Sequence, residues 1–279
     1  MKKIIFLITS ILTTAMILSA CSNLEVKNSD EKGEIPEEKD VFNVEDESEE
    51  TLSDIGSHKV TVESGEGEIT APDGEVLATY GYSYPVFECN EGDNEEYIAK
   101  INQMFKDNAL GVASGAEAEY ETLLKEYEYS KEVHGKWYGP YVYRCGYTIH
   151  TNAKGIISIT ETWYAYLGGA HGMHVNDSHT LDVVNGKELS LSDLLYGTED
   201  GIVEAFAKEF VKVSDMFYPG DDPAEVVTKE FPYAEYYVDS EGVTAYFQEY
   251  HVGPYSSGFV SATISDKEML KYDFSDTTN

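Results

Sequence analysis

Apolar and polar residues change period several times along this chain, and the changes mark its elements. Val76, Ala78, Tyr80, Tyr82, Tyr84 and Val86 alternate with smaller or polar residues, the two-residue period of a half-buried strand. Helical spacing follows: Tyr97, Ile98, Ile101, Met104 and Phe105 lie on one helix face behind an Asp93-Asn94 cap. Tyr120, Leu123, Leu124 and Tyr127 repeat the pattern after a Gly/Ala/Ser break. The period returns to two over Tyr141, Tyr143, Cys145, Tyr147 and Ile149, then over Ile157 to Tyr166, joined by the turn Asn152-Ala153-Lys154-Gly155.

Beyond a glycine-rich loop, Gly168-Gly169-Ala170-His171-Gly172, the chain reads as a strand through His179 to Val183. An Asn185-Gly186 turn and a capped helical turn at Ser190 to Leu195 come next. A helix with Ile202, Val203, Phe206 and Phe210 on one face follows, and Asp222-Pro223 opens another, with aspartate as the N-cap and proline in the first turn. Strands at Tyr236–Val238 and Val243–Tyr250, hairpinned over Asp239 to Gly242, precede a last strand from Phe259 to Ile264. Strands and helices do not alternate regularly, so the class is α+β with antiparallel sheets, in two subdomains covering 71–167 and 168–275.

The first 70 residues obey neither period. Lys2 and Lys3 precede an apolar run from Ile4 to Leu18 that ends in Leu18-Ser19-Ala20-Cys21, the layout of a bacterial lipoprotein signal over 1–20. Lipidation of Cys21 would anchor the chain on the outer face of the cytoplasmic membrane, making the membrane its first partner. Residues 21–70 hold 16 acids and four bases with few aromatics, which reads as an acidic, disordered tether.

The formal net charge of −33 excludes a nucleic-acid partner, because such binding needs lysines and arginines to neutralise phosphates. It favours encounter with a cationic protein. Twenty-two tyrosines, several clustered in strands, suit protein or cell-wall glycan recognition and also supply core. Of the three cysteines, Cys89 and Cys145 remain after processing and could form one disulfide, or both could be buried thiols.

Catalytic layouts are missing: no Gly-x-Ser-x-Gly elbow, no His-Glu-x-x-His, no Cys-x-x-Cys and no phosphate-binding glycine loop. His171, His174, Asp177, His179 and Asp182 form the densest polar cluster. His174 and His179 differ in strand parity, so the sequence assigns no metal, no cofactor and no catalytic residue. The loop glycines instead read as a tight crossing at positive φ, with His171 bonded to nearby main chain. Glu161, beside Trp163, is the most glycosidase-like carboxylate and reads as a solvated edge residue. A wall hydrolase working through His171 and nearby carboxylates is the third-ranked reading.

Two segments carry a resemblance when taken together. Tyr166-Leu167-Gly168-Gly169-Ala170-His171-Gly172 is followed some eighty residues on by Tyr250-His251-Val252-Gly253-Pro254-Tyr255-Ser256-Ser257-Gly258. In that order they resemble the extracytoplasmic domain shared by RsiV-like anti-sigma factors and PdaC-like peptidoglycan deacetylases, over roughly residues 75 to 272. The resemblance implies an α+β domain of two subdomains, binding lysozyme in the RsiV-like proteins and joined to a separate catalytic barrel in the PdaC-like ones. It carries over only the loop from Gly168 to Gly172 and the loop Gly253-Pro254-Tyr255, which read first as structural signatures of the fold. The binding candidates at and beside them are Gly168, Gly169, His171, Gly172, Tyr250, Pro254 and Tyr255. Neither sigma-factor regulation nor deacetylation carries over, since the segments they need have no counterpart here. The expectation is a lipoprotein binding module for lysozyme or another cationic protein, with glycan binding as the alternative.

Overall fold

A computed structural model describes residues 57–273. The signal, Cys21 and most of the expected tether lie outside the described residues. Among those described, no helix is long and apolar enough to cross a membrane.

Six strands form one sheet in sequential order: β1 Val60–Thr70, β2 Val76–Phe87, β3 Tyr141–Ala153, β4 Ile156–Tyr166, β5 Met173–Asp182 and β6 Lys187–Glu188. All neighbours are antiparallel except β2 and β3. A parallel pair needs a crossover, supplied by helices α1 (Glu95–Ala118) and α2 (Tyr120–His134). Asn94 caps α1 by accepting from the Tyr97 N–H at 3.0 Å, and Gly135 ends α2 in the left-handed conformation. One face of α1, with Ile98, Ile101, Phe105, Ala109 and Val112, packs on Phe87, Ile157, Ile159 and Leu181 of the sheet.

The second sheet holds β7 Glu235–Asp239, β8 Gly242–Phe247 and β9 Val260–Ile264, all antiparallel. The short α3 (Leu191–Leu194), α4 (Glu199–Val211) and α5 (Pro223–Glu230) accompany it. Phe206, Phe210, Phe231 and Phe247 fill the core between these helices and the sheet. Burying each such ring contributes roughly 1.5–3 kcal/mol. The two sheets are joined by buried polar bonds: Thr151 Oγ1 donates to the Val238 carbonyl at 2.7 Å, the Val238 N–H donates to Ser158 Oγ at 2.9 Å, and Ser178 Oγ lies 2.7 Å from the Tyr246 hydroxyl.

The α+β class stands, and four expectations change. Residues 60–70 are strand β1 rather than tether; as an edge strand it is exposed over most of its length and so lacks apolar alternation. The expected division at 167/168 falls inside one sheet, because β5 pairs with β4 along its length. Helix α1 runs through Gly111 and Gly115, where a break was expected, and stops at Glu119. Cys89 and Cys145 are both free. Cys145 pairs in register with Tyr82, so Cys89 lies seven residues further along, about 23 Å at strand rise, far beyond the reach of a disulfide.

Candidate functional site

The two sequence loops meet. Gly168 (φ 81°) and Gly169 (φ 103°) turn the chain out of β4 in conformations that a side chain would strain. Gly172 is glycine for a different reason: a Cβ there would run into the Tyr164 ring. These glycines hold His171 at the mouth of β5, against the segment that leaves β8 at Gln248.

His171 is engaged on three sides. Its Nδ1 lies 2.8 Å from the Gly172 carbonyl, which can only accept, so Nδ1 carries the proton. In the neutral ring Nε2 is then the acceptor, and the Tyr250 hydroxyl, 3.1 Å away, donates to it. Burial, with Glu249 and Tyr218 nearby, pushes the Tyr250 phenol upward and keeps that proton in place. Tyr255 stacks on the imidazole with centroids 3.7 Å apart and planes 13° from parallel. Tyr250 itself sits at φ 64°, an αL conformation rare for a bulky residue. Pro254 leads into the 3-10 turn Tyr255–Ser257 that sets the stacking ring.

The second loop is fixed to β5 by residues the sequence reading missed. Glu249 Oε2 accepts from the His174 N–H at 3.1 Å while Oε1 lies 3.1 Å from His174 Nδ1. The Gln248 side chain accepts from the Asn176 N–H at 3.0 Å and donates to its carbonyl at 2.6 Å, doing what a neighbouring strand would do. Tyr218 donates to the Tyr250 carbonyl at 3.1 Å, and Gly253 packs too closely on the Met216 carbonyl for any Cβ. The signal available in sequence was the loss of alternation after Phe247.

The outcome is a fixed aromatic surface. Tyr250 is 42% exposed, with Tyr218 at 38% and Tyr233 at 66% beside it through His251. Asp221 and Asp222 are exposed next to Tyr218, and Glu230 lies 3.2 Å from His251 Nε2. The other members of the polar cluster go elsewhere. His174 pairs with Glu249, His179 Nδ1 with Glu188 at 2.9 Å, and Asp182 accepts from Asn185. No group of three ligands placed to hold a metal occurs among the described residues.

Glu161 requires correction. β4 is an interior strand, and Glu161 lies on its α1 face, only 2% exposed, accepting from Asn108 at 2.7 Å. Burial, only partly offset by Asn108, pushes its carboxyl up to about 8. It is a core carboxylate, walled by α1 and the neighbouring strands.

Fold and site together define a two-part α+β module whose parts share a loop junction. Residues 73–174 match the family model described as Deacetylase PdaC, and residues 199–267 match the protein family of unknown function DUF3298. Together, and in this order along the chain, the two matches support a PdaC/RsiV-like domain over residues 73–267. Its structure is similar to that of a DUF3298 family member from Bacteroides fragilis, with 16% identity and a TM-score of 0.56, covering 79% of this chain and 96% of that one. It is also similar to a DUF3298 family protein from Pseudomonas aeruginosa, with 18% identity and a TM-score of 0.50, covering 79% and 97%. At these identities the likeness is one of fold. No curated protein matches the sequence.

Proposed function

We propose that this chain is a non-catalytic, extracytoplasmic binding module, lipid-anchored through Cys21, that recognises a cationic protein through the surface around His171, Tyr250 and Tyr255. The carrying observation is the convergence of two loops, 79 residues apart, on a pre-ordered cluster with exposed tyrosines and flanking carboxylates. Rigid phenol rings give contact area at small entropic cost and accept lysine or arginine against their faces. With Nε2 taken by a tyrosine hydroxyl and Nδ1 by a carbonyl, His171 has no free nitrogen for proton transfer, which counts against a hydrolase. Lysozyme is the sharpest form of the reading and rests on the RsiV-like resemblance.

Calorimetric titration of the chain with lysozyme at low and physiological salt tests it, with Tyr250→Ala alongside. One-to-one binding that survives physiological salt and weakens at least about ten-fold in Tyr250→Ala, with thermal stability unchanged, is expected. Binding confined to low salt would reduce the interaction to charge. No binding would favour the second reading, cell-wall glycan recognition, for which the exposed rings would serve as stacking platforms.

A further inference from the structure

The two margins of the six-stranded sheet are treated differently. Along β5 the outward edge is covered by the two-residue β6 at Leu181 and Asp182, by the Leu189 N–H, which donates to the Thr180 carbonyl at 2.7 Å, and by Gln248 and Glu249 at Asn176 and His174. Along β1, 11 residues long, the only pairing is with β2, and among the described residues no group from another element bonds to the outer edge. Alternate β1 residues therefore present free N–H and C=O groups outward, a template for another strand.

Proteins usually blunt such an edge with charged side chains, lysine above all, or with proline, a bulge or shortness. On β1 the charge is all acidic, which turns away acidic strands and leaves basic ones. β1 contains no proline, lysine or arginine, and its one register shift comes at the very end, between Ile69 and Thr70. It carries Glu63, Glu66 and Glu68, all exposed. These side chains repel a second copy of β1 and repel the chain's own residues 21–56, which hold 13 acids and three lysines. They attract a basic segment. Gly65 and Gly67 add a further feature: the rings of Tyr82 and Tyr80 reach across from β2 over these two positions, where a Cβ would meet them. Basic side chains arriving beside β1 on that face would find aromatic rings next to Glu63.

We propose that the outer edge of β1 is a strand-addition site for an extended, lysine- or arginine-bearing segment of another protein. The site goes beyond the loop surface, which lies at the opposite margin of the sheet, about 19 Å away across four strand spacings.

Residue-resolved amide exchange on the ¹⁵N-labelled full chain tests this, using a capped seven-residue peptide of alternating lysine and valine at physiological salt. The β1 amides facing away from β2 are expected to slow at least about ten-fold while those bonded to β2 stay unchanged. The same peptide methylated on alternate backbone nitrogens should give no protection, and Glu63→Lys should weaken the response. Unchanged β1 exchange overturns the proposal, and so does equal protection by the methylated peptide, which would mean charge alone. Edge protection already present without peptide also overturns it: if it grows with protein concentration the occupant is a second copy, and if it does not the occupant is the chain's own N-terminal part.

Discussion

Glu161 Oε2 and His179 Nε2 lie 4.0 Å apart on neighbouring strands beneath α1, and among the described residues the buried His179 Nε2 has no hydrogen-bond partner. Asp177, opposite Glu161 in register, is 3.9 Å from the same nitrogen. Burial raises the carboxyl of Glu161 to about 8. It opposes the charged form of His179, but the Glu188 bond and the charges of Asp177, Glu188 and Glu161 outweigh it and hold that ring at about 8 as well.

Both shifts run upward from ordinary values of 4.5 and 6.5, so the fold keeps protons that the unfolded chain has released. The stability they contribute is complete below the unfolded values and is lost as pH rises through about 8. Glu161→Gln, which cannot ionise, should flatten the fall of the melting temperature between pH 6 and 9. It should be the more stable protein at pH 9, by on the order of a few kcal/mol. Thermal melts across that range decide it; parallel pH profiles for the two proteins would refute the assignment.

Glu249 holds the second loop to β5 through both carboxylate oxygens. Glu249→Ala should cost about 1–3 kcal/mol by leaving the His174 N–H without its acceptor. It should also loosen the Tyr250 contact, so lysozyme affinity should fall along with stability, whereas Tyr250→Ala should lower affinity alone. Chemical denaturation beside titration separates the two effects.

Glycines in this chain should respond in opposite directions. Added Cβ atoms at Gly111 and Gly115 would meet nothing within 4 Å, and both positions are helical. Gly111→Ala and Gly115→Ala should each stabilise by up to about 1 kcal/mol. Gly172→Ala and Gly253→Ala drive a methyl into the Tyr164 ring and the Met216 carbonyl, and should destabilise by about 1–3 kcal/mol. Denaturation midpoints of the four variants report the signs.

Cys89 is exposed and Cys145 is buried, its thiol pushed well above the usual range chiefly by burial. Iodoacetamide on the folded chain should label Cys89 and spare Cys145, and labelling of Cys145 should appear only on unfolding. Peptide mapping reads this directly, and a Cys89–Cys145 peptide under non-reducing conditions would contradict the structure.

Elements with strong periodicity were legible in the sequence: the β3–β4 hairpin, the capped α5 with Asp222 and Pro223, and the β7–β8 turn. β1 was not, because a strand that buries little beyond Ile69 carries no hydrophobic signature. Glycines suggested a helix break at 111–115, yet tertiary packing of Val112 and Ala116 carries α1 through them. Glu161 occupies a core position in an otherwise apolar row, and its polarity masked its burial. The two loops stood out by composition and by resemblance. Their contact did not, since it depends on Gln248 and Glu249, which look like ordinary surface residues until β5 lies beside them.

The capping of β5 by Gln248 and Glu249 also sets an order of events. During synthesis, β5 emerges some seventy residues before Gln248 and Glu249, which close its edge. Until the last ninth of the chain arrives, an incomplete molecule displays an open strand margin at each side of its sheet. This is the interval in which pairing with another nascent copy competes with folding. A chain truncated before residue 248 would be trapped in it, and the expected fate of such a fragment is aggregation.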